Sequence, residues 1–235
     1  MKVWHHPGRI GDCVYALWTM KALGGGKLIV SDYHHPNWSL DIARSMERFL
    51  LAQPYIQMVE FKPYAEVSSV DYDFHDAETD YNPEAFPEWR GESWPGNCHI
   101  AKRYAIHYGL MFDGKPWLTI PTDGEQPPIA FHAPDYRMIR SARDWRVVLQ
   151  KLGDAGYKTA FLNAESDLLT SAIRIQSAKL MLGAVSCCHA IAEGLDKPRL
   201  VEQASGCFNV NPTLCLNGMS NEAVVAEVKK YLESP

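Results

Sequence analysis

No stretch of this chain approaches the roughly 20 consecutive apolar residues that a membrane-spanning helix needs. No positively charged, apolar, small-residue leader opens it either. Its six cysteines (Cys13, Cys98, Cys187, Cys188, Cys207 and Cys215) never fall in C-x-x-C spacing and do not make the framework of a small secreted domain. Positive charge is not in excess: 23 Lys and Arg against 28 Asp and Glu leave a net charge of −5, so no overall attraction to nucleic acid or an anionic membrane follows. The chain has no G-x-G-x-x-G fingerprint and no Walker lysine. It shows no internal repeat and no low-complexity tract. Together these absences predict a cytoplasmic protein with free thiols and without a transmembrane segment.

What remains is an ordinary globular composition, 46% apolar over 235 residues, enough for one large domain or two small ones. Short β-rich runs alternate with helical stretches. Lys2–His6 reads as a strand. Cys13, Ala16, Leu17, Met20 and Leu23 then recur at helical spacing as one apolar face, and Gly24–Gly26 stops that helix. Further strands are expected at Leu28–Val30, Ile56–Phe61 and Val70–Phe74, with a helix between them from about Ser39 to Gln53. From Asp76 to Pro95 the acidic, aromatic run "DAETDYNPEAFPEWRGESWP" reads as a long irregular loop. A helix at His99–Leu110 and a short extended piece at Pro116–Pro121 follow. Turn formers cluster in "PTDGEQPP", residues 121 to 128, and beyond them the strand–helix alternation restarts and runs to a last helix from about Asn221 to Glu233. The pattern predicts an α/β protein of two small Rossmann-like domains, 1–124 and 125–235, each with a parallel sheet.

In open parallel sheets, ligands bind at the carboxyl ends of strands, where loops enter helices. One such place is "HHPGRIGDC", residues 5 to 13. Its glycines, Gly8 and Gly11, allow close backbone approach, and the helix behind offers amide N–H groups to an anion. Asp12 has two readings here, a helix N-cap or a general base facing a cleft. Arg9 and Gly11 would lie near an acceptor or phosphate. The second place is "LMLGAVSCCHAIAEGLDKP", residues 180 to 198. There Ser186 and the amides of Cys187, Cys188 and His189 form a cradle suited to a diphosphate, or else Ser186 only caps the helix. Arg137, Arg140 and Arg143, in the segment opened by His132, have a spacing suited to phosphate oxygens, or make a solvated basic face. No metal is expected. Cys187, Cys188 and His189 diverge around a helix, and the adjacent pairs His5–His6 and His34–His35 point to opposite faces of an extended chain. Phe86, Trp89 and Trp94, in the acidic loop, could stack on a sugar or a base.

The segment "GDCVYALWTMKAL" resembles the opening of the heptosyltransferase-like glycosyltransferases of family 9. "SAKLMLGAVSCCHAIAEGLDKP" resembles that family's nucleotide-site segment, and "FHAP…RDWRVVLQKLGDAGYKTAFLN" is similar to the opening of its second domain. The resemblance implies a GT-B-like fold, two Rossmann-like domains facing across a cleft. It also implies an inverting transferase moving a sugar from a nucleotide-sugar donor to an acceptor hydroxyl, with Asp12 as general base and no required metal or cofactor. The nucleotide sugar would lie mainly on the C-terminal half, against His132, Arg137, Arg143 and Ser186 to His189. The glycan or other acceptor would lie on the N-terminal half, against Phe86, Trp89 and Trp94. The chain departs from the pattern in three ways: it is shorter than usual members, Ala184 and Val185 stand near where the family carries an acidic or hydroxyl residue, and His189 stands one position off the usual distance to the pair Lys197–Pro198. Two alternatives therefore stay open, a phage-type transferase acting on a hydroxymethylpyrimidine in DNA, and a non-catalytic nucleotide- or sugar-binding module.

Overall fold

A computed structural model describes residues 1–33, 44–79, 99–122, 124, 127–133, 143–162, 167–203 and 212–233. The chain forms two all-parallel sheets. In the first, β1 (Val3–His6), β2 (Gly26–Ser31), β3 (Ile56–Lys62) and β4 (Tyr72–Asp73) lie in the order β3-β2-β1-β4. The chain steps outward from β1 to β3 and then returns to the other side of β1. In the second, β5 (Ile129–His132), β6 (Thr159–Phe161), β7 (Leu180–Ala184), β8 (Arg199–Glu202) and β9 (Leu214–Cys215) lie in the order β6-β5-β7-β8-β9. Each sheet thus has one place where the direction of winding reverses, between β1 and β4 and between β5 and β7, and such a place opens a crevice at the carboxyl ends.

Eight helices are described: α1 (Ile10–Ala22), α2 (Glu47–Leu51), α3 (Phe74–Thr79), α4 (Ile100–His107), α5 (Trp145–Asp154), α6 (Leu168–Ser177), α7 (Cys187–Gly194) and α8 (Asn221–Glu233). Side chains satisfy leading amides at several helix heads, Asp73 taking that of His75 at α3 and Ser220 that of Ala223 at α8. Asp144 accepts from the Arg146 amide at the head of α5, and Asp167 accepts from the Thr170 amide at the head of α6.

The second sheet shows how alternation builds layers. Ile129, Phe131, Leu180, Leu182 and Leu200 face one way and pack with Val148 and Leu152 of α5 and Val224, Val228 and Leu232 of α8. Their neighbours Ala130, Met181 and Val201 face the other way, into a core shared with α6, α7 and the whole N-terminal half. Period-2 alternation sends successive side chains to opposite faces, so one strand feeds two cores. Gly183 is the tight point of this sheet. It takes φ +146°, and a β-carbon there would lie 1.9 Å from the His132 carbonyl oxygen on β5.

Four sequence expectations change. First, α1 buries eight consecutive residues, Cys13 to Met20, instead of one face. A helix buried all round is packed on every side, and α1 is wedged between the first sheet, α4 and α7. Second, the irregular loop expected from Asp76 begins inside a helix, since α3 runs Phe74–Thr79; residues 80–98 lie outside the described residues. Third, of the helix expected from Ser39 to Gln53, residues 39–43 lie outside the described residues and the regular helix there is Glu47–Leu51. Fourth, β9 is a strand that the sequence did not announce, two residues long. The extended piece at 116–121 crosses between the halves: the amides of Trp117 and Leu118 both donate to the Gly194 carbonyl at 3.0 Å, and Trp117 Nε1 donates to the Val14 carbonyl at 2.9 Å.

Candidate functional site

Both loops singled out in the sequence sit at the carboxyl end of a strand beside a winding reversal. After β1 the chain turns through Gly8, which takes φ +105°, a conformation that side-chain-bearing residues rarely adopt. The Gly8 amide donates to His6 Nδ1 at 3.1 Å, and His6 Nε2 lies 3.4 Å from the Tyr104 hydroxyl of α4. The N-cap of α1 is Arg9, not Asp12 as the capping reading expected, and Arg9 makes no side-chain cap bond. Asp12 falls in the first turn, where the helix dipole favours a negative charge. Its side chain is 18% exposed and lies 3.8 Å from the guanidinium of Arg9, which is 57% exposed.

After β7, Ser186 adopts extended backbone as the N-cap of α7 but gives the helix no side-chain cap bond. Its hydroxyl is out of solvent and touches the Cys188 thiol. The Cys188 thiol donates to the Cys187 sulfur, which pulls Cys187 down and pushes the buried Cys188 up. His132 ends β5 opposite Gly183. Burial lowers its pKa, and its Nδ1 is buried without a hydrogen-bond partner among the described residues.

The two places meet. A β-carbon built on Gly11 would stand 3.8 Å from both the amide nitrogen and the α-carbon of Cys187, so the start of α1 abuts the start of α7. Residues 176 positions apart in the chain thereby form one junction, and Asp12 is the next residue along α1.

One turn deeper, the same two helices are joined by a buried polar cluster. The Tyr15 hydroxyl donates to Glu193 Oε2 at 2.9 Å and lies 3.2 Å from His189 Nδ1. Because the phenol proton goes to the carboxylate, His189 donates from Nδ1 to the phenol oxygen. Its Nε2, buried without a hydrogen-bond partner among the described residues, is then a bare acceptor. Burial brings the His189 pKa down to about 4, so the ring is neutral. The other Glu193 oxygen, Oε1, lies 2.8 Å from His99 Nε2. Burial works to raise the Glu193 pKa, but the His99 bond and the nearby His189 and Arg199 outweigh it and hold it below the usual carboxylate range. Burial and the Glu193 charge together push the Tyr15 phenol well up.

Several expected roles therefore shift. The His189 amide, expected in the diphosphate cradle, donates to the Ser186 carbonyl at 3.1 Å, and its side chain faces Tyr15 of α1. Arg143 spends its guanidinium inside the C-terminal half: Nη1 donates to Asn221 Oδ1 at 3.2 Å, and Nη2 donates to the carbonyls of Leu216 and Met219 at 2.9 and 3.0 Å. It fastens β9 and the head of α8, and its donors are turned away from a diphosphate. Arg137, Arg140, Phe86, Trp89, Trp94 and the pair His34–His35 lie outside the described residues. Among the described residues, no group of three or more His, Cys, Asp or Glu side chains is placed to hold a metal.

The sequence reading missed Tyr15, His99 and Glu193. A signal existed, since Glu193 is the one carboxylate in the otherwise apolar "HAIAEG", and a buried acid implies a partner. It also missed His5, whose Nδ1 bonds Asp73 Oδ1 at 2.7 Å and whose Nε2 lies 2.8 Å from Ser31 Oγ. Burial works to raise the Asp73 pKa, and the bonds from His5 and the His75 amide outweigh it and hold it low. His5 and His6 do point to opposite faces of β1, as adjacent strand residues must.

Comparison with known proteins agrees with this architecture. No protein-family model matches the chain, and no curated protein matches it in sequence. Solved structures do match in fold. A glycosyltransferase of family 9 from Veillonella parvula superposes with a TM-score of 0.67 at 10% identity, over 98% of this chain and 96% of that one. The E. coli ADP-heptose LPS heptosyltransferase II gives 0.63 at 14% identity, over 99% and 98%. The E. coli heptosyltransferase WaaC with ADP gives 0.60 at 12% identity, over 98% and 100%. The fold is GT-B-like, as the resemblance implied.

Proposed function

We propose that the protein is an inverting glycosyltransferase that moves a sugar from a nucleotide-sugar donor to an acceptor hydroxyl. The observation that carries this reading is the contact between Gly11 and Cys187, which brings the first turn of α1, where Asp12 is the next residue, against the head of α7 in a fold shared with heptosyltransferases. In this reading residues 1–124 are the acceptor side and 125–235 the donor side.

The chemistry needs a proton acceptor at one end of the forming bond and charge stabilisation at the other. Asp12 takes the proton from the acceptor hydroxyl as that oxygen attacks the anomeric carbon. The bond from that carbon to the phosphate oxygen breaks, and its electron pair leaves on the nucleoside diphosphate. Configuration inverts because attack comes from the face opposite the leaving group. A positioned base contributes about 10²–10⁴-fold. The diphosphate is received at the start of α7, where the helix dipole favours negative charge. His132, neutral and with Nδ1 unpartnered among the described residues, borders the donor and suits a hydroxyl or amino group rather than a phosphate. WaaC holds ADP; here the base of the nucleotide is a matter for experiment.

That experiment is a thermal-shift panel of ADP, UDP, GDP, CMP and TDP and their sugars, followed by release of nucleoside diphosphate from whichever sugar nucleotide binds. A ligand in excess stabilises by RT ln(1 + [L]/Kd), so the reading expects one base to raise the melting temperature clearly above the rest. No shift with any nucleotide would count against a nucleotide-sugar enzyme. A shift without turnover would favour a binding module.

A further inference from the structure

The carboxyl edge of the first sheet carries aromatic side chains that the reaction above leaves unused. Tyr33 follows β2, Tyr64 sits in the single 3-10 turn after β3 (Tyr64–Glu66), and His75 lies in the first turn of α3 after β4. Three separate strand ends thus bring their rings together. Tyr33 stands 4.6 Å from Tyr64 and 4.2 Å from His75, centroid to centroid, and Tyr64 stands 5.6 Å from His75.

The group is anchored from beneath. The Tyr64 ring lies 5.7 Å from the His5 ring, which Asp73 and Ser31 hold on both nitrogens. Asp32 Oδ1 accepts from the Tyr64 amide at 2.8 Å, and Asp73 Oδ1 accepts from the His75 amide at 2.9 Å. Yet Tyr33 and Tyr64 remain 42% and 37% exposed. Rings gathered from three strand ends form one contiguous exposed aromatic patch, the kind of surface that marks a binding groove.

The surrounding charge narrows the ligand. Lys62 shares Glu60 with Lys27, at 3.2 and 2.7 Å, and Asp32, Glu66, Asp73 and Asp76 outnumber Lys62 and Arg9 at this edge. Carboxylates repel a phosphorylated or carboxylated ligand, while they accept hydrogen bonds from hydroxyls. A ring with an apolar face and a rim of hydroxyls satisfies both the tyrosines and the acids.

We propose that Tyr33, Tyr64 and His75 form a stacking subsite for an uncharged carbohydrate, the acceptor of the transfer. The proposal rests on the transferase reading for the word acceptor, and on the rings and charges alone for the ligand class. Asp12 lies in the first turn of the helix after β1 and these rings follow β2, β3 and β4, so base and subsite occupy the same edge of the same sheet.

The test is ligand-observed saturation-transfer NMR on the full chain, with a panel of neutral methyl glycosides and their 6-phosphates. At least one neutral glycoside is expected to receive saturation, and its phosphate to bind at least tenfold more weakly. Tyr33→Ala with Tyr64→Ala should cut the neutral signal at least fivefold, while Tyr33→Phe with Tyr64→Phe keeps it. If the double alanine variant does not fold, Tyr33→Ser alone, at the more exposed position, should still reduce the signal at least twofold. Equal or tighter binding of the phosphates, or a signal indifferent to the tyrosines, would overturn the proposal. So would tyrosine-dependent binding of an oligonucleotide carrying hydroxymethylcytosine in place of any glycoside. The two readings fail separately. Glycoside binding at the tyrosines without any nucleotide shift retains the subsite and removes the transferase, and the converse removes only the subsite.

Discussion

The two strand ends that meet at the Gly11–Cys187 junction are built from opposite materials. On the N-terminal side the functional groups are side chains: a part-exposed carboxylate at Asp12, a loosely paired Arg9, and the acidic, aromatic edge of Tyr33, Tyr64 and Asp73. On the C-terminal side they are backbone amides and small or neutral groups, Ser186, Cys187 and Cys188 following the buried β7 and His132 ending β5. In the proposed transfer the proton acceptor must be able to change charge, and Asp12 is part exposed beside Arg9. A receiver of a departing anion works best as fixed dipoles that need no reorganisation. The difference between the edges is the division of labour that a group transfer needs.

The largest expected effect comes from breaking the rigid side. Gly183→Val puts a side chain where the His132 carbonyl stands 1.9 Å from an ideal β-carbon, and at φ +146° the strand has no room to adjust. Loss of at least about 3 kcal/mol, or failure to fold, is expected in denaturant unfolding.

Acid should break the seam between the sides next. His189 has a folded pKa of about 4 against an ordinary 6.5. Between those values the unfolded chain binds a proton that the folded chain refuses, so stability is full above about pH 6.5 and falls as pH drops toward 4. At ~1.4 kcal/mol per pH unit that loss is about 3 kcal/mol. Glu193, held low in the fold, adds a loss of the same sign at the acid end. Urea unfolding at pH 7.5, 6, 5 and 4 checks this, and His189→Leu should flatten the dependence between pH 6.5 and 4.5.

Tyr15→Phe sharpens the same comparison more gently. It strips the donor from Glu193 Oε2 and the acceptor from His189 Nδ1 while keeping the ring. A buried polar atom left unpaired costs about 1–3 kcal/mol, which a thermal melt at neutral pH should show. The smallest effect is expected far from the junction: Asp167→Ala removes the cap of α6, for about 1 kcal/mol and no change in nucleotide binding.

The parts legible in the sequence were those that a local period or a local residue type encodes. Leu180, Met181 and Leu182 announced a fully buried strand, and α8 was bounded at both ends because its apolar stripe, Val224, Val228 and Leu232, is confined to one face. Gly8 and Asp12 marked the first loop because glycine and a first-turn carboxylate have few other reasons to sit together. The junction itself was not legible, since nothing near Gly11 encodes its contact with Cys187 176 residues later. Nor was the burial of α1 on all sides, because Tyr15 and Thr19 look like polar-face residues until another helix covers them. Arg143 misled for a related reason: an arginine before a helix suits a phosphate, and equally suits three protein acceptors when β9 and α8 fold back over it.

The central claim is that one carboxylate at the head of α1 does the proton transfer while the head of α7 holds the leaving group. The direct measurement is Asp12→Asn, assayed side by side for nucleotide binding by thermal shift and for sugar transfer by release of nucleoside diphosphate. The account predicts an unchanged nucleotide shift and a transfer rate lower by about 10²–10⁴-fold. Turnover equal to that of the natural protein, with the fold intact, would contradict it.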